Sequence, residues 1–153
     1  MTTIYLASPL GFSHEFREYR ERIRERLHEL GCTVLDSWEP SYRSALENAA
    51  RQVTWAARVA AFKAIAATIG KANDDMIRTC DILLGVLDGA ELDSGTVSEI
   101  GFAAGLGKRC YGLRTDFRDC GELDGLPFNL QVLYWIESSG GCLFRKIEDI
   151  VFP

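Results

Sequence analysis

The chain has 153 residues, of which 47% are hydrophobic, a size that favours a single domain, residues 1–153, with a core that needs no disulfide or metal for stability. The net charge of −5 and the pI of about 5.1 exclude a general surface for nucleic acid or anionic membrane, because no basic stretch offsets the acidic residues. A small or locally recognised ligand is the expected partner.

The cysteines and histidines are too scattered to predict a metal centre. No two of the five cysteines form a CxxC pair, and only His14 and His28 could add imidazole ligands. We therefore expect no metal, no cofactor, and reduced cysteines in a cytoplasmic protein. The sequence also shows neither a charged-then-apolar leader nor an apolar run of about 20 residues, the length that crosses a membrane.

The first part of the chain alternates between strand and helix patterns. Residues 3–7 form a short apolar run that predicts a strand. An amphipathic helix follows, capped by Ser13 and ended by Gly31, and residues 32–36 predict a second strand.

The middle of the chain is helical up to a third strand. Residues 44–69 are rich in alanine and predict one or two helices broken near Gly70, and residues 73–80 predict a further helical segment. Residues 82–87 are almost continuously apolar, which is typical of a strand covered on both faces of a parallel sheet.

A polar turn with several acidic residues follows the third strand and leads into a helix that carries Glu99 near its start. The turn contains Asp88 and Gly89, then Asp93 and Gly95. The free amides and dipole at a helix start favour the ionised form of a carboxylate, and an ionised carboxylate is a possible nucleophile. The alternative is that Glu99 only complements the dipole, but the crowding of carboxylates here favours a functional site.

The last part of the chain completes an alternating pattern. Residues 109–113 predict a fourth strand, residues 132–136 a fifth, and residues 143–150 a closing helix. Such alternation predicts an α/β fold with a doubly wound, five-stranded parallel sheet in the flavodoxin-like order 2-1-3-4-5 and helices on both faces. In that order the first and third strands are neighbours with diverging connections, and ligands bind at such a point.

Three blocks of sequence occur in an order that is similar to one known family. The blocks are Ile4-Tyr5-Leu6-Ala7-Ser8-Pro9, then Asp88-Gly89 with Asp93-Ser94-Gly95-Thr96 and Glu99-Ile100-Gly101, then Leu126-Pro127-Phe128-Asn129-Leu130. Together they resemble the signature of the nucleoside 2-deoxyribosyltransferases. The resemblance extends over residues 4–137, with residues 40–70 weakly matched.

The resemblance implies cleavage of the N-glycosidic bond of a 2′-deoxynucleoside and transfer of the deoxyribosyl group to another nucleobase. Breaking this bond builds positive charge on the sugar, which a carboxylate can stabilise or trap covalently. Glu99 is then the nucleophile and Tyr5 orients it by a hydrogen bond. Asp93 matches an acidic residue that helps hold the substrate, and its competing role is the cap of the helix.

The resemblance also implies a set of residues that bind the substrate. Asn73 falls where many members carry an aspartate that contacts the base, but an amide cannot be a general acid at neutral pH, so Asp88 or water must protonate the leaving base unless hydrogen bonding suffices. Trp38 leaves the second strand and is a candidate for stacking on a base. The full set is Ser8, Pro9, Trp38, Asn73, Asp88, Gly89, Gly95, Asn129 and Gln131.

Asn129 and Gln131 align with residues that family members lend to the active site of a neighbouring subunit, at the 5′ end of the sugar. That match implies a homo-oligomer with shared sites. The simpler alternative is that Asn129 caps a turn.

Two other functions stay open from the sequence. One is N-glycoside hydrolysis of nucleoside 5′-monophosphates, with Ser8, Ser13 and Arg114 as candidate phosphate ligands. The other is a non-catalytic sensor of nucleosides or nucleotides, which would have no need of an acidic nucleophile. Neither a G-x-G-x-x-G loop after the first strand nor a G-x-x-x-x-G-K-[ST] loop occurs, which argues against dinucleotide-binding and P-loop proteins.

Overall fold

Five parallel strands form one sheet in the order β2-β1-β3-β4-β5, which confirms the predicted doubly wound topology. The computed structural model describes residues 1–39 and 42–153. The strands are β1 (Thr3–Ala7), β2 (Thr33–Asp36), β3 (Ile82–Val86), β4 (Arg109–Leu113) and β5 (Leu143–Phe144).

Helices cover both faces of this sheet. They are α1 (Arg17–Glu29), α2 (Arg43–Ala50), α3 (Trp55–Thr79), α4 (Ser94–Gly105) and α5 (Leu130–Ser138), with short 3-10 helices at Leu10–Phe12, His14–Phe16 and Ile147–Asp149.

Successive side chains of β1 belong to two different parts of the core, one on each face of the sheet. Ile4 and Leu6 belong to the cluster that packs under α1, whereas Tyr5 and Ala7 belong to the cluster under α4 and α5. Successive side chains of a strand point to opposite faces, so this alternation turns Tyr5 towards α4.

The predicted fifth strand was wrong, because residues 132–136 lie in α5. Val132 and Ile136, four residues apart, are both buried, which is the spacing of one helix face. Asn129 caps the helix by accepting hydrogen bonds from the backbone N–H groups of Gln131 and Val132. The edge strand β5 takes the place of the start of the predicted closing helix, and only a 3-10 turn follows it.

The predicted break near Gly70 was also wrong, because Gly70 lies inside α3, a continuous helix of 25 residues. Gly70 keeps a negative φ, and a glycine inside a helix costs only about 1 kcal/mol relative to alanine. Residues 55–69 of the first predicted segment and most of the second segment, 73–80, therefore lie in one helix, α3, whereas the start of the first segment forms α2.

A close approach of α4 to the sheet sets the position of the polar turn before it. A Cβ at Gly85 of β3 would lie 2.7 Å from Cδ1 of Ile100, so a larger residue there would require the Ile100 side chain to shift. As a result the first turns of α4 lie beside β1, the neighbour of β3 in the sheet.

We expect Gly141→Ala to destabilise the fold by about 2–3 kcal/mol or more, because the added Cβ would lie 1.7 Å from the backbone oxygen of Cys110 in β4. Gly105→Ala is the matched control. A Cβ there meets nothing within 4 Å, and we expect stability unchanged or raised by up to about 1 kcal/mol. Urea unfolding measures both, and equal midpoints for the two variants would contradict the packing argument.

Candidate active site

A cleft of about 900 Å³ lies at the carboxyl ends of β1 and β2, beside the start of α4. The loops after the two strands and the first turns of α4 form its inner wall, and α2 and α3 form its outer wall. This is the edge of a parallel sheet at which ligands of doubly wound proteins bind. The predicted residues that line it are Ser8, Trp38, Asn73, Asp93, Gly95 and Glu99.

Glu99 is anchored in the cleft through one carboxylate oxygen only. The Tyr5 hydroxyl donates a hydrogen bond to Oε1 at 2.8 Å, and Nδ2 of Asn73 donates to the same oxygen at 3.2 Å. Oε2 accepts no hydrogen bond from the described residues. The arrangement fixes the orientation of the carboxylate and leaves Oε2 without a hydrogen bond from the described residues.

Burial is the main influence on the ionisation of Glu99, and it raises the pKa of this carboxyl group above its ordinary value. The hydrogen bonds from Tyr5 and Asn73 lower this pKa, whereas the charge of Asp93 raises it. Glu99 is the sixth residue of α4, and the effect of a helix dipole falls off within the first turn. The two hydrogen-bond donors, more than the dipole expected from sequence, stabilise the ionised form.

Tyr5 is suited to donate a hydrogen bond to Glu99 at every pH at which Glu99 is ionised. Its side chain is fully buried, and burial together with the charge of Glu99 raises the pKa of the phenol far above its ordinary value. The hydroxyl therefore stays protonated whenever Glu99 is ionised, and the hydrogen bond between them persists.

Asp93 can combine the two roles considered from the sequence. Its Oδ2 caps α4 by accepting hydrogen bonds from the backbone N–H of Thr96 at 2.8 Å and from the Thr96 hydroxyl at 3.0 Å. Oδ1 accepts none from the described residues. Gly95 allows this geometry, since a Cβ there would lie 3.1 Å from Oδ2 of Asp93.

Trp38 lines the cleft and is fixed there by several contacts. Its indole N–H donates to the carbonyl of Ser8 at 2.8 Å, and its ring meets that of Phe12 edge-on at 4.6 Å between centroids. Its backbone N–H donates to the buried carboxylate of Asp36. A Cβ at Gly11 would lie 1.9 Å from the ring, so glycine is required for the indole to lie there.

Three predicted ligand-binding residues lie outside the cleft. Pro9, Asp88 and Gly89 line a separate depression near α1. Asp88 accepts hydrogen bonds from the Tyr19 hydroxyl at 2.8 Å and from the backbone N–H of Thr115 at 2.6 Å. These contacts tie together α1 and the loop after β4, which gives Asp88 a structural role that spacing in the sequence does not reveal.

Asn129 and Gln131 are likewise not brought to Glu99 within one chain. Asn129 lines another depression, which shares Ser94 with the cleft. Its amide oxygen caps α5 and its Nδ2 contacts Glu122, so its polar atoms are already engaged.

Two of the three candidate phosphate ligands are engaged in holding the backbone. Arg114 is fully buried and donates hydrogen bonds to the carbonyls of Gly89 at 3.0 Å and Arg118 at 2.9 Å. Ser13 caps a 3-10 helix. Of the three, only Ser8 lines the cleft.

The sequence did not single out the outer wall of the cleft. Arg43, Leu46 and Glu47 of α2 and Ala66 and Ile69 of α3 line it. Their helical spacing resembles that of any amphipathic helix, so no local pattern marks them. Across residues 1–39 and 42–153, no helix is long and apolar enough to cross a membrane, and no cluster of His, Cys, Asp or Glu could hold a metal ion.

The sheet order and the position of the cleft define a doubly wound α/β protein with a ligand site where the connections of β1 and β3 diverge. A sequence model described as nucleoside 2-deoxyribosyltransferase matches residues 4–131. The chain belongs to this family, whose enzymes act on N-glycosidic bonds. No curated protein matches its sequence significantly.

Several solved structures have folds similar to that of this chain. A conserved protein from Enterococcus faecalis V583 has a TM-score of 0.70 and 25% identity, over 97% of this chain and 94% of that one. A 2-deoxyribosyltransferase from Bacillus psychrosaccharolyticus has a TM-score of 0.59 and 24% identity, over 97% and 89%. A CMP N-glycosidase from Clostridium botulinum has a TM-score of 0.56 and 15% identity, over 97% and 94%.

The contacts of Glu99 predict that two variants will move the acidic limb of the pH–activity profile in opposite directions. A nucleophilic Glu99 must be ionised, so glycosidic cleavage should fall as the pH drops through its pKa, which lies above the ordinary value of about 4.3. Tyr5→Phe removes an interaction that lowers this pKa, so the acidic limb should move to higher pH. Asp93→Asn removes a charge that raises the pKa, so the limb should move to lower pH.

The measurement is kcat/KM for deoxynucleoside cleavage against pH, which reports ionisations of the free enzyme. If the acidic limb moved in the same direction in both variants, the assigned contacts of Glu99 would be wrong.

Proposed function

We propose that the protein transfers the 2-deoxyribosyl group of a 2′-deoxynucleoside between purine and pyrimidine bases through a covalent intermediate on Glu99. The observation that carries this proposal is the one-sided anchoring of Glu99, with two donors on Oε1 and Oε2 left unpaired by the described residues. A carboxylate that served only to cap a helix or to increase solubility would not be half-buried in α4 and held by two hydrogen-bond donors from β1 and α3.

The proposed reaction has two displacements at C1′ of the sugar. In the first, an oxygen of Glu99 forms a bond to C1′ while the C1′–N bond breaks, and the electron pair passes to the nitrogen of the leaving base. In the second, a nitrogen of an incoming base forms a bond to C1′, the bond from C1′ to the Glu99 oxygen breaks and releases the carboxylate, and the incoming base loses its proton to water. Two inversions retain the configuration at C1′, as in retaining glycosidases.

The leaving base must gain a proton as it departs, and its source is a solvent molecule in this proposal. Asn73 lines the cleft but carries no acidic proton at neutral pH. Asp88, the other residue considered, does not line the cleft and is occupied by hydrogen bonds from Tyr19 and Thr115. Water is therefore the remaining donor among those considered.

The charge of the cleft favours a free nucleoside over a nucleoside 5′-monophosphate. Three carboxylates line it, on Glu47, Asp93 and Glu99, and among the described lining residues Arg43 is the only cation. Moving a phosphate group into such a cleft is unfavourable because like charges repel. The CMP N-glycosidase with the same fold nevertheless makes hydrolysis of a monophosphate the second candidate, with Ser8 and Arg43 as its ligands.

We also propose that the protein acts in the cytoplasm in nucleoside salvage, as a homo-oligomer. Leu130 and Tyr134 of α5 are exposed to 46% and 62%, and Trp55 of α3 to 74%. Leu130 and Tyr134 are four residues apart and share one face of α5, and neighbouring exposed apolar side chains are typical of contact surfaces. The two on α5 lie on the helix that Asn129 caps, so association through α5 would bring Asn129 to a partner.

Replacing the nucleophile tests the chemistry. Glu99→Gln should retain the fold, since the amide oxygen can still accept the hydrogen bond from Tyr5, and should lower turnover by several orders of magnitude because a covalent catalyst is lost. The assay incubates the protein with deoxyinosine and free adenine, and separately with dCMP alone, and follows the products by chromatography. Turnover within a few-fold of the parent would disprove the role of Glu99.

Mixing two inactive variants tests whether sites are shared. If Asn129 acts in trans, a dimer of Glu99→Ala and Asn129→Ala chains carries both defects in one site and none in the other, so activity should reappear on subunit exchange. Because Asn129 also caps α5, circular dichroism must first show that the variant is folded. A mixture that stays inactive despite proven exchange would rule out sharing.

A further inference from the structure

The turn that carries Trp38 is anchored to α1 by an ion pair on each of its sides. It begins at Asp36, the last residue of β2, and closes at Glu39, whose backbone N–H donates to the carbonyl of Asp36 at 3.1 Å. Arg20 pairs with Asp36, and Arg24 pairs with Glu39. The two arginines are four residues apart and therefore share one face of α1. We call the two arginines and their two carboxylates the arginine clamp.

The carboxylate of Asp36 connects this clamp to Trp38, with one oxygen for each. Its Oδ2 accepts a hydrogen bond from Nε of Arg20 at 2.8 Å, and its Oδ1 accepts one from the backbone N–H of Trp38 at 3.0 Å. The Asp36 side chain is fully buried, and that of Arg20 is 13% exposed. A buried charge without a partner is strongly unfavourable. Loss of Arg20 would therefore displace the carboxylate, and with it the backbone of Trp38.

Stability of the turn alone does not explain a buried ion pair at this position. A tight turn can be closed by its own hydrogen bonds, and a buried ion pair often contributes no more stability than apolar residues of the same size. The pair does add a fixed geometry, because the planar guanidinium of Arg20 contacts Oδ2 of Asp36 through Nε at 2.8 Å and Nη2 at 2.7 Å. A fixed geometry is useful where the residue that the turn carries has a task.

The indole of Trp38 fits its place in the cleft closely, so its position depends on the turn. The indole N–H donates to the carbonyl of Ser8 at 2.8 Å, and the ring lies against the backbone at Gly11, where a Cβ would come within 1.9 Å of it. Phe12 meets the ring edge-on. A shift of the turn would separate the ring from these contacts and change the surface that it offers to a ligand. Among the described residues, the four of the arginine clamp lie outside the lining of the cleft.

We propose that Arg20 and Arg24 are positioning residues that act through Asp36 and Glu39 to hold Trp38 where its ring stacks on an aromatic base. They thus determine the affinity for the base without contacting it. The inference rests on the proposed transferase function, which makes a base the ligand. The pair of Arg20 with Asp36 has the larger effect because it is buried, whereas Glu39 is 47% exposed and water screens its charge.

A double-mutant cycle between Arg20 and Trp38 tests the inference. Calorimetry measures binding of free adenine, or of cytosine if adenine binds too weakly, to the parent, Arg20→Gln, Trp38→Ala and the double variant. Trp38→Ala should weaken binding by roughly 5- to 100-fold, because stacking is lost. Arg20→Gln should weaken it by roughly 3- to 30-fold in the parent but by less than about twofold when Trp38→Ala is already present.

The control is Arg22→Gln, which lies on the same helix and removes an exposed ion pair with Glu148. It should leave base affinity unchanged. Equal losses from Arg20→Gln with and without Trp38→Ala would mean that Arg20 acts independently of the ring, and would overturn the inference. The same conclusion would follow if Arg20→Gln caused no loss, or if the parent bound neither base.

A conservative variant and a kinetic measurement separate positioning from support of the fold. If circular dichroism shows that Arg20→Gln is unfolded, the cycle is run with Arg20→Lys, which keeps the charge beside Asp36 but lacks the planar group. A loss of roughly 3- to 10-fold is expected, again only while Trp38 is present. In the folded variant, KM for the deoxynucleoside of the same base should rise, while kcat and the acidic limb set by Glu99 stay unchanged. A fall in kcat with KM unchanged would overturn the inference.

The outcomes also separate this inference from the proposed function. Coupling between Arg20 and Trp38 in base binding, in a protein that neither cleaves nor transfers, would support the inference and overturn the function. Cleavage of deoxynucleosides with additive effects of the two substitutions would overturn the inference and leave the function standing.

Discussion

The hydrogen bond from Tyr5 to Glu99 is the contact on which the rest of the site depends, because it joins the first strand to α4 across the core. It requires Tyr5 to point to the α4 face of the sheet and α4 to lie close against β3, which Gly85 permits. Without this donor a buried carboxylate would lose much of the stabilisation of its charge. The packing of α4 on the sheet and the orientation of the Glu99 carboxylate therefore depend on one contact.

Holding Glu99 in the cleft has a cost to the folded state. Its folded pKa is raised, so its favourable contribution to folding is present below the pKa of the unfolded chain and is lost as the pH rises through the folded value. The ionised form, which the proposed reaction needs, is thus the one that the fold disfavours. The hydrogen bonds from Tyr5 and Asn73 limit this cost, because they lower the same pKa.

Long-range topology was readable from the sequence, whereas side-chain direction and short elements were not. The alternation of strand and helix patterns predicted the sheet order, although the fifth strand was placed at the wrong residues. The turn after β3 predicted a site near Glu99, and Tyr5 and Asn73 both donate hydrogen bonds to this residue. The two-residue β5 has no periodicity to detect, and the five apolar residues of α5 fit a strand or a helix equally. Asp88 was misplaced because its partners, Tyr19 and Thr115, lie far away in sequence.

Because α3 is continuous, it connects its exposed start at Trp55 to Asn73, which contacts Glu99 in the cleft. Asn73 holds Glu99 from near the end of this helix, while its first turns pack against α2 and carry the exposed Trp55. A helix of 25 residues is about 37 Å long, and because no break occurs at Gly70 it moves largely as a rigid rod. A contact at the first turns of α3 that displaced the helix along its axis would therefore also displace Asn73, and with it one of the two donors to the Glu99 carboxylate.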